Sequence, residues 1–186
     1  MIKNFYGFED VSHSLVVKEG DVLELGSHRL KFIIAPMIHW PEVMMSYEES
    51  EKVLFSADAF GKFGALDIKE SPSEAKKEDW ACEARRYYFN IVGKYGAPVQ
   101  ALLKKAAGLD IQKICPLHGP VLAEELSYYI EKYDVWSRYE PEDKGVLIAY
   151  SSVYGNTKAA VETLAECIGS REKVVLADLA REDMAE

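Results

Sequence analysis

The feature that most restricts what this chain can fold into is a change of hydrophobic period near Ser73. Before it, apolar residues come in short β-rich runs divided by turn chemistry; after it they recur at helical spacing. The runs at 14–17, 22–25 and 30–34 are separated by Glu19-Gly20-Asp21 and Gly26-Ser27-His28. Runs at 43–47 and 53–55 flank the polar turn Glu48-Glu49-Ser50-Glu51. This pattern predicts a β-meander. Beyond Ser73, Trp80, Ala84, Tyr87, Tyr88 and Ile91 mark an amphipathic helix behind a Ser-Pro-Ser start. Gly93, Gly96 and Pro98 interrupt it, and a second stripe of Val99, Leu102, Leu103 and Ala106 ends at Gly108. A strand at 111–115 and a third helix at 123–139 follow.

The polar stretch 138–145, with Pro141 and Gly145, has the composition of an interdomain linker and divides residues 1–140 from 141–186. Beyond it, Val146-Leu147-Ile148-Ala149-Tyr150 is a continuous apolar run of the buried parallel-strand kind. A polar loop, a helix at 157–168 and a strand at 173–177 complete a βαβ unit. A unit of about 40 residues has too little area to fold alone. The chain is therefore expected to be a piece of a longer protein.

Hydrophobic residues make up 48% and charged residues 28%, the balance of a water-soluble globular body. A net charge of −9 with no basic stripe repels a phosphate backbone and excludes broad nucleic-acid binding. Cys82, Cys115 and Cys167 are odd in number and lack CxxC spacing, so neither a disulfide framework nor a zinc knuckle is indicated. The reduced cytoplasm fits, and from these residues neither a signal peptide nor a membrane span is expected. The many aromatics at helical spacing, among them Trp80, Tyr87, Tyr88, Tyr133 and Trp136, read as core rather than as a cofactor wall.

Three candidate metal ligands share one local grammar: each ends an apolar strand-like run and precedes a loop of small residues, Gly or Pro. His39 follows the run at 32–38, Asp58 the run at 53–57, and His118 follows Ile114-Cys115-Pro116-Leu117. Neighbouring strand ends can converge on one point and hold a metal with small positional error. Imidazole and carboxylate suit iron, manganese or zinc, and a carboxylate has two oxygens with which to bridge two ions. Taken singly, such residues also serve to cap strands or turns. His28 sits in a predicted hairpin turn and His13 precedes a strand without an acidic neighbour at ligand spacing, so both read as surface residues.

A second constellation, Ser151-Ser152-Val153-Tyr154-Gly155-Asn156-Thr157, lies between an apolar strand and a helix. Hydroxyls and successive N–H groups at a helix N-terminus make an anion site. The loop lacks the lysine of a P-loop, which argues against a nucleoside triphosphate. Its alternative role is an ordinary turn capped by Asn156 or Thr157.

The strings Ala35-Pro36-Met37-Ile38-His39-Trp40-Pro41, Leu54-Phe55-Ser56-Ala57-Asp58-Ala59-Phe60-Gly61 and Pro116-Leu117-His118-Gly119-Pro120 resemble, in order, three ligand segments of the flavodiiron proteins. The loop at 151–157 is similar to the flavodoxin loop that holds the phosphate of FMN. The resemblance covers nearly the whole chain. It implies an α/β fold: the C-terminal half of a metallo-β-lactamase-like αββα sandwich, followed by the first βαβ unit of a flavodoxin-like domain. It further implies that His39 binds one iron, Asp58 bridges the pair and His118 binds the other. The family's earlier H-x-E-x-D-H ligand segment has no counterpart here. Two iron ions and FMN are the implied cofactors, both sites being incomplete in these residues. A rubredoxin or reduced cofactor is the implied electron donor, oxygen or nitric oxide the implied substrate, and a homodimer the implied assembly. Rival readings are a zinc hydrolase of the metallo-β-lactamase superfamily, for which the flavodoxin-like loop would have no use, and a non-catalytic fragment.

Overall fold

The computed structural model describes residues 2–7, 12–65 and 77–182. After a short helix α1 (Ile2–Tyr6), the chain forms β1 (Val22–Leu25), β2 (His28–Ile34), β3 (Met44–Glu48) and β4 (Val53–Phe55). These pair antiparallel in sequence order, which is the expected meander. The β1–β2 register pairs Leu25 with His28 and leaves a two-residue loop. Gly26 occupies its first position with φ 70°, the left-handed conformation that position of a hairpin turn demands. At the β3–β4 turn the Glu48 carboxylate accepts from the backbone N–H groups of Glu51 (2.5 Å), Ser50 (3.1 Å) and Arg29 (3.3 Å). The Glu51 bond is the largest of the effects that hold its carboxyl down to about 2 against the cost of burial.

Two expectations need correction. Residues 14–17 form no strand: Leu15 and Val16 are exposed, and the neighbouring β2 end instead receives the Glu19 side chain, which accepts from Ile34 N at 2.7 Å. The run makes no ladder pairing with any strand of the sheet, and strand composition without a partner leaves it irregular. His28 is exposed as expected, but it opens β2 rather than sitting in the turn, and its Nδ1 lies 3.2 Å from Glu48.

The helical half starts, within the described residues, at α2 (Lys77–Tyr87); its Ser-Pro-Ser start lies outside them. Gly93 and Gly96 do not break the path. It widens into a π-helical segment (Tyr88–Val92), closed by Gly93 N donating to Tyr88 O, tightens into a 3₁₀ turn (Gly93–Tyr95), and resumes as α3 (Gly96–Ala106). β5 (Lys113–Cys115) then adds parallel to β4, as a helical crossover permits, and α4 (Leu126–Ser137) follows. Ile33, Met45, Tyr47, Leu54 and Ile114 on one sheet face pack against Trp80, Tyr88, Val92, Val99, Tyr133 and Trp136 from the helices. These aromatics are core, as their spacing predicts. The opposite face of the same strands carries Leu25, Met44 and Phe55, all exposed.

The segment after α4 is tied back by one carboxylate. Glu142 accepts from Arg85 (Nε 2.6 Å, Nη2 3.1 Å), from Trp136 Nε1 (2.7 Å) and from Lys132 Nζ. Burial opposes its ionisation, but these donors outweigh burial and hold the carboxyl near about 2, against an ordinary 4.5. A depressed folded-state pKa contributes stability that is complete above the unfolded value and is lost as pH falls through the folded one. Glu142→Gln is therefore expected to lower stability by about 2 kcal/mol at neutral pH. The difference from the parent should shrink between pH 4.5 and about 2 in denaturant melts; a difference independent of pH would remove the ionic explanation. Beyond this tie, β6 (Val146–Tyr150), α5 (Asn156–Gly169) and β7 (Val174–Asp178) form a parallel two-stranded βαβ unit.

Candidate metal centre

The sheet order explains why three distant residues meet. β4 and β5 run parallel with Phe55 opposite Cys115, so both chains leave the sheet side by side in the same direction. Asp58 and His118 each lie the same number of residues beyond that last pair. Their loops are stitched together: Ser56 N donates to Cys115 O (3.1 Å), Leu117 N to Ala57 O (2.8 Å) and Lys62 N to His118 O (3.1 Å). β2 is antiparallel to β3, which is antiparallel to β4, so β2 also ends on this edge and delivers His39 there. Ile38, fully buried, anchors that loop in the core.

The result is a carboxylate between two imidazoles. His39 Nε2 lies 3.5 Å from Asp58 Oδ2, and His118 Nε2 lies 3.5 Å from Asp58 Oδ1. That separation is too long for a charge-assisted hydrogen bond. It is near the donor spacing around one ion, about 3.0 to 3.4 Å for bonds of about 2.1 Å at tetrahedral or right angles. Each imidazole addresses a different oxygen, so the donor set fits two ions sharing one carboxylate. Among the described residues no group of three or more His, Cys, Asp or Glu side chains stands gathered to hold a metal ion. Asp58 is the most enclosed of the three, its side chain 13% exposed against 28% for His39 and 57% for His118.

The backbone around these residues is unusual. Met37 (φ 66°), Ala57 (φ 50°) and Phe60 (φ 65°) are non-glycine residues in the left-handed region, a conformation that persists where the surroundings enforce it and clusters at functional sites. Gly119 (φ 105°) follows His118 directly. Gly61 has φ outside that region but no room for a side chain: a Cβ there would meet Asp58 O at 3.1 Å, His118 O at 3.2 Å and Tyr87 Cε1 at 3.2 Å. The glycines after two candidate ligands were visible in the sequence as loop residues; that Gly61 is also a packing contact was not.

Two neighbours of the site were not recognised as such in the sequence, where Tyr87 reads as core. Tyr87 places its ring 5.8 Å from that of His118; burial, and then the Asp58 charge, push its phenol well above the ordinary value, so it stays protonated. A recess of about 260 Å³ beside His39 is lined by Phe89, Asn90, Ile91, Lys94 and Tyr95. Three of these belong to the π-helical segment, which no hydrophobic period announces. Such widened turns recur at functional sites.

Residues 151–155 connect β6 to α5, and Asn156 and Thr157 open the helix. Ser151, Val153, Tyr154, Gly155, Asn156 and Thr157 are exposed and Ser152 is half-buried. The helix is not capped by Asn156 or Thr157. Ser152 Oγ accepts from Gly155 N (3.1 Å) and Lys158 N (3.3 Å), and Gly155 supplies the left-handed turn at φ 85°. The Ser152 hydroxyl oxygen thus satisfies two backbone N–H groups at the start of the helix. No helix among the described residues is long and apolar enough to cross a membrane.

Comparison with known proteins follows the same lines. The family model described as ODP family beta lactamase matches residues 1–119. An uncharacterized protein of Methanocaldococcus jannaschii is 36% identical over 167 residues, covering 87% of this chain and 40% of the relative. The anaerobic nitric oxide reductase flavorubredoxin of Vibrio vulnificus is 34% identical over 155 residues, covering 82% and 31% respectively. The crystal structure of the flavodiiron protein from Giardia intestinalis superposes with a TM-score of 0.84 at 28% identity, covering 99% of this chain and 45% of that one. The chain therefore spans less than half the length of these relatives, and its α/β architecture is that of the metallo-β-lactamase-like part of flavodiiron proteins. By family model and by fold, this chain belongs to the ODP family of β-lactamase-like proteins, as one of the flavodiiron proteins.

Proposed function

We propose that this chain contributes to a flavodiiron oxidoreductase that reduces oxygen to water or nitric oxide to nitrous oxide. The observation that carries the reading is Asp58 held between His39 and His118, one carboxylate oxygen to each imidazole. On this reading His39 and His118 would each hold one iron, and Asp58 would offer a carboxylate oxygen to both. Residues 1–140 belong to the diiron domain, and 141–186 open the FMN-binding one. The oxidoreductase name of the Vibrio relative favours this over a zinc hydrolase. When bound, two irons and FMN supply the multi-electron reducing chemistry. The chain's own residues hold and shape the site: Asp58 turns one carboxylate oxygen toward each imidazole, and Tyr87 keeps its proton beside His118. The electron donor is a rubredoxin or a reduced cofactor, and the setting is the cytoplasm.

Three protein ligands enforce a dinuclear geometry poorly, so the 186-residue chain is expected to turn over slowly. A nitric oxide electrode, with iron(II), FMN and a chemical reductant added, tests the assignment. Slow consumption that Asp58→Ala removes supports it; consumption unchanged by that substitution overturns it. FMN binding should be weak as well. The loop offers a phosphate cradle, but Val153 and Tyr154 are 86% and 91% exposed and enclose no ring system. The chain is expected to leave a desalting column colourless after incubation with FMN, and a yellow product would contradict this.

The exposed sheet face at Leu25, Met44 and Phe55, with Leu147 and Val175 on the βαβ unit, is apolar surface of the kind that drives association. A homodimer or larger assembly is expected, and multi-angle light scattering giving a monomer mass at high concentration would refute it.

A further inference from the structure

The helix layer and the sheet do not close completely over the candidate ligands' strands. Between them lies a cavity of about 170 Å³. Its inner wall is Leu54, Phe60 and Ile114, each at most 3% exposed. Its outer rim is Leu103, Ala106 and Ala107 at the C-terminal end of α3, where Ala107 is exposed to solvent. Every lining side chain is aliphatic or aromatic.

The chemistry of this space restricts its occupant. A water molecule needs two to four polar partners, and apolar cavities stay dry; one of about 150 Å³ is known to take benzene or xenon. The lining offers no side-chain hydrogen-bond donor or acceptor, which leaves small apolar molecules. The position restricts it further. Leu54 and Ile114 are the paired central residues of β4 and β5, whose ends carry Asp58 and His118. Phe60 belongs to the turn of Asp58 itself. Its backbone N–H is fixed by Tyr133 Oη at 2.7 Å, and its ring packs on that of Tyr133 at 4.4 Å between centroids. The inner wall of the cavity and the support of the candidate ligands are one piece of structure.

We propose that this cavity is an apolar gas-binding site, an antechamber in which a neutral diatomic such as oxygen or nitric oxide partitions from water before reaching the ligand edge past Phe60. The assignment rests on the reductase reading for the identity of the gas, but the site itself requires neither iron nor FMN. Small residues at Ala106 and Ala107 leave the mouth open, and the flat Phe60 ring forms the inner partition.

Dissolved oxygen is both ligand and probe, because its paramagnetism relaxes nearby nuclei. In the metal-free full chain with labelled methyl groups, oxygen is expected to relax the methyls of Leu54, Ile114 and Leu103 several-fold more than those of Val92 and Met45. The latter two are as buried as Leu54 and Ile114 but do not line the cavity, so the comparison rests on those two, Leu103 at the rim being only half-buried. Ala106→Phe should abolish the excess at Leu54 and Ile114. Should that variant fail to fold, Ala107→Phe, at an exposed position, is expected to reduce it in the same way. Equal relaxation at lining and control methyls would overturn the proposal, as would an excess that survives closure of the mouth. Iron(II) titration of the same samples separates the two readings: failure to bind iron, with the oxygen effect intact, would count against the reductase assignment and leave the gas site standing.

Discussion

Asp58→Ala is expected to weaken iron(II) binding by at least about a hundredfold, the upper end of what supporting residues alone contribute. The reason is geometric. Each imidazole stands 3.5 Å from a different oxygen of this one carboxylate, so its removal takes a donor from both positions at once. It also removes the negative charge that offsets two cations. The parent chain should itself bind iron weakly, with three protein donors for two ions. Anaerobic calorimetry reads both quantities, and a circular dichroism melt confirms that the variant folds. Two irons retained by the parent chain through desalting would refute the weak-binding expectation. An unchanged affinity in the variant would remove Asp58 from the site.

Gly96→Ala is expected to cost about 2 kcal/mol of stability although it replaces glycine by the best helix former. The propensity gain at a helix interior is at most about 1 kcal/mol. Against it stands a collision: a Cβ on Gly96 would lie 2.4 Å from the Ser137 carbonyl oxygen and 3.0 Å from two atoms of the Tyr139 ring. Overpacking costs about 1 to 3 kcal/mol and occasionally more, and the atom struck is backbone at the end of α4, which cannot swing aside. The contact is also bonded. Tyr139 Oη accepts from Gly96 N at 3.3 Å and donates to Gly93 O at 3.0 Å, while Gln100 Nε2 donates to Asp134 Oδ1 and Ser137 Oγ, both at 2.8 Å. Gly108→Ala is the control, since a Cβ there meets only Lys105 O at 3.7 Å. It should be neutral or slightly stabilising. Equal urea midpoints for the two variants would show that the α3–α4 contact yields more easily than its geometry implies.

Much of the fold was legible because period is a local property. The meander from β1 to β4, the helices around Trp80 and Val99, and the βαβ unit follow from apolar spacing and turn residues. The irregular pieces did not. Residues 14–17 have strand composition but pair with no strand of the sheet, and pairing depends on the partner as much as on the run itself. The π-helical segment at Tyr88–Val92 needs one extra residue in a turn, which a 3.6-residue pattern absorbs without trace. Gly93 and Gly96 looked like breaks; in the folded chain Gly96 is a point of close approach between helices. Ser152, rather than Asn156 or Thr157, caps α5 because a left-handed Gly155 folds the loop back over the first N–H groups.

His39, Asp58 and His118 were identifiable as strand-end donors, since residue type and its place after an apolar run are written along the chain. Their meeting was not, because it depends on strand direction. β2, β4 and β5 point the same way only once β3 has reversed the chain between the first two and a helical crossover has returned it beside the third. The sequence determined which side chains could bind a metal and the local structure that carries each. Only the tertiary structure decided that one carboxylate would stand between two imidazoles, because hydrogen bonding between distant strands, and not any local preference, sets which ends share an edge.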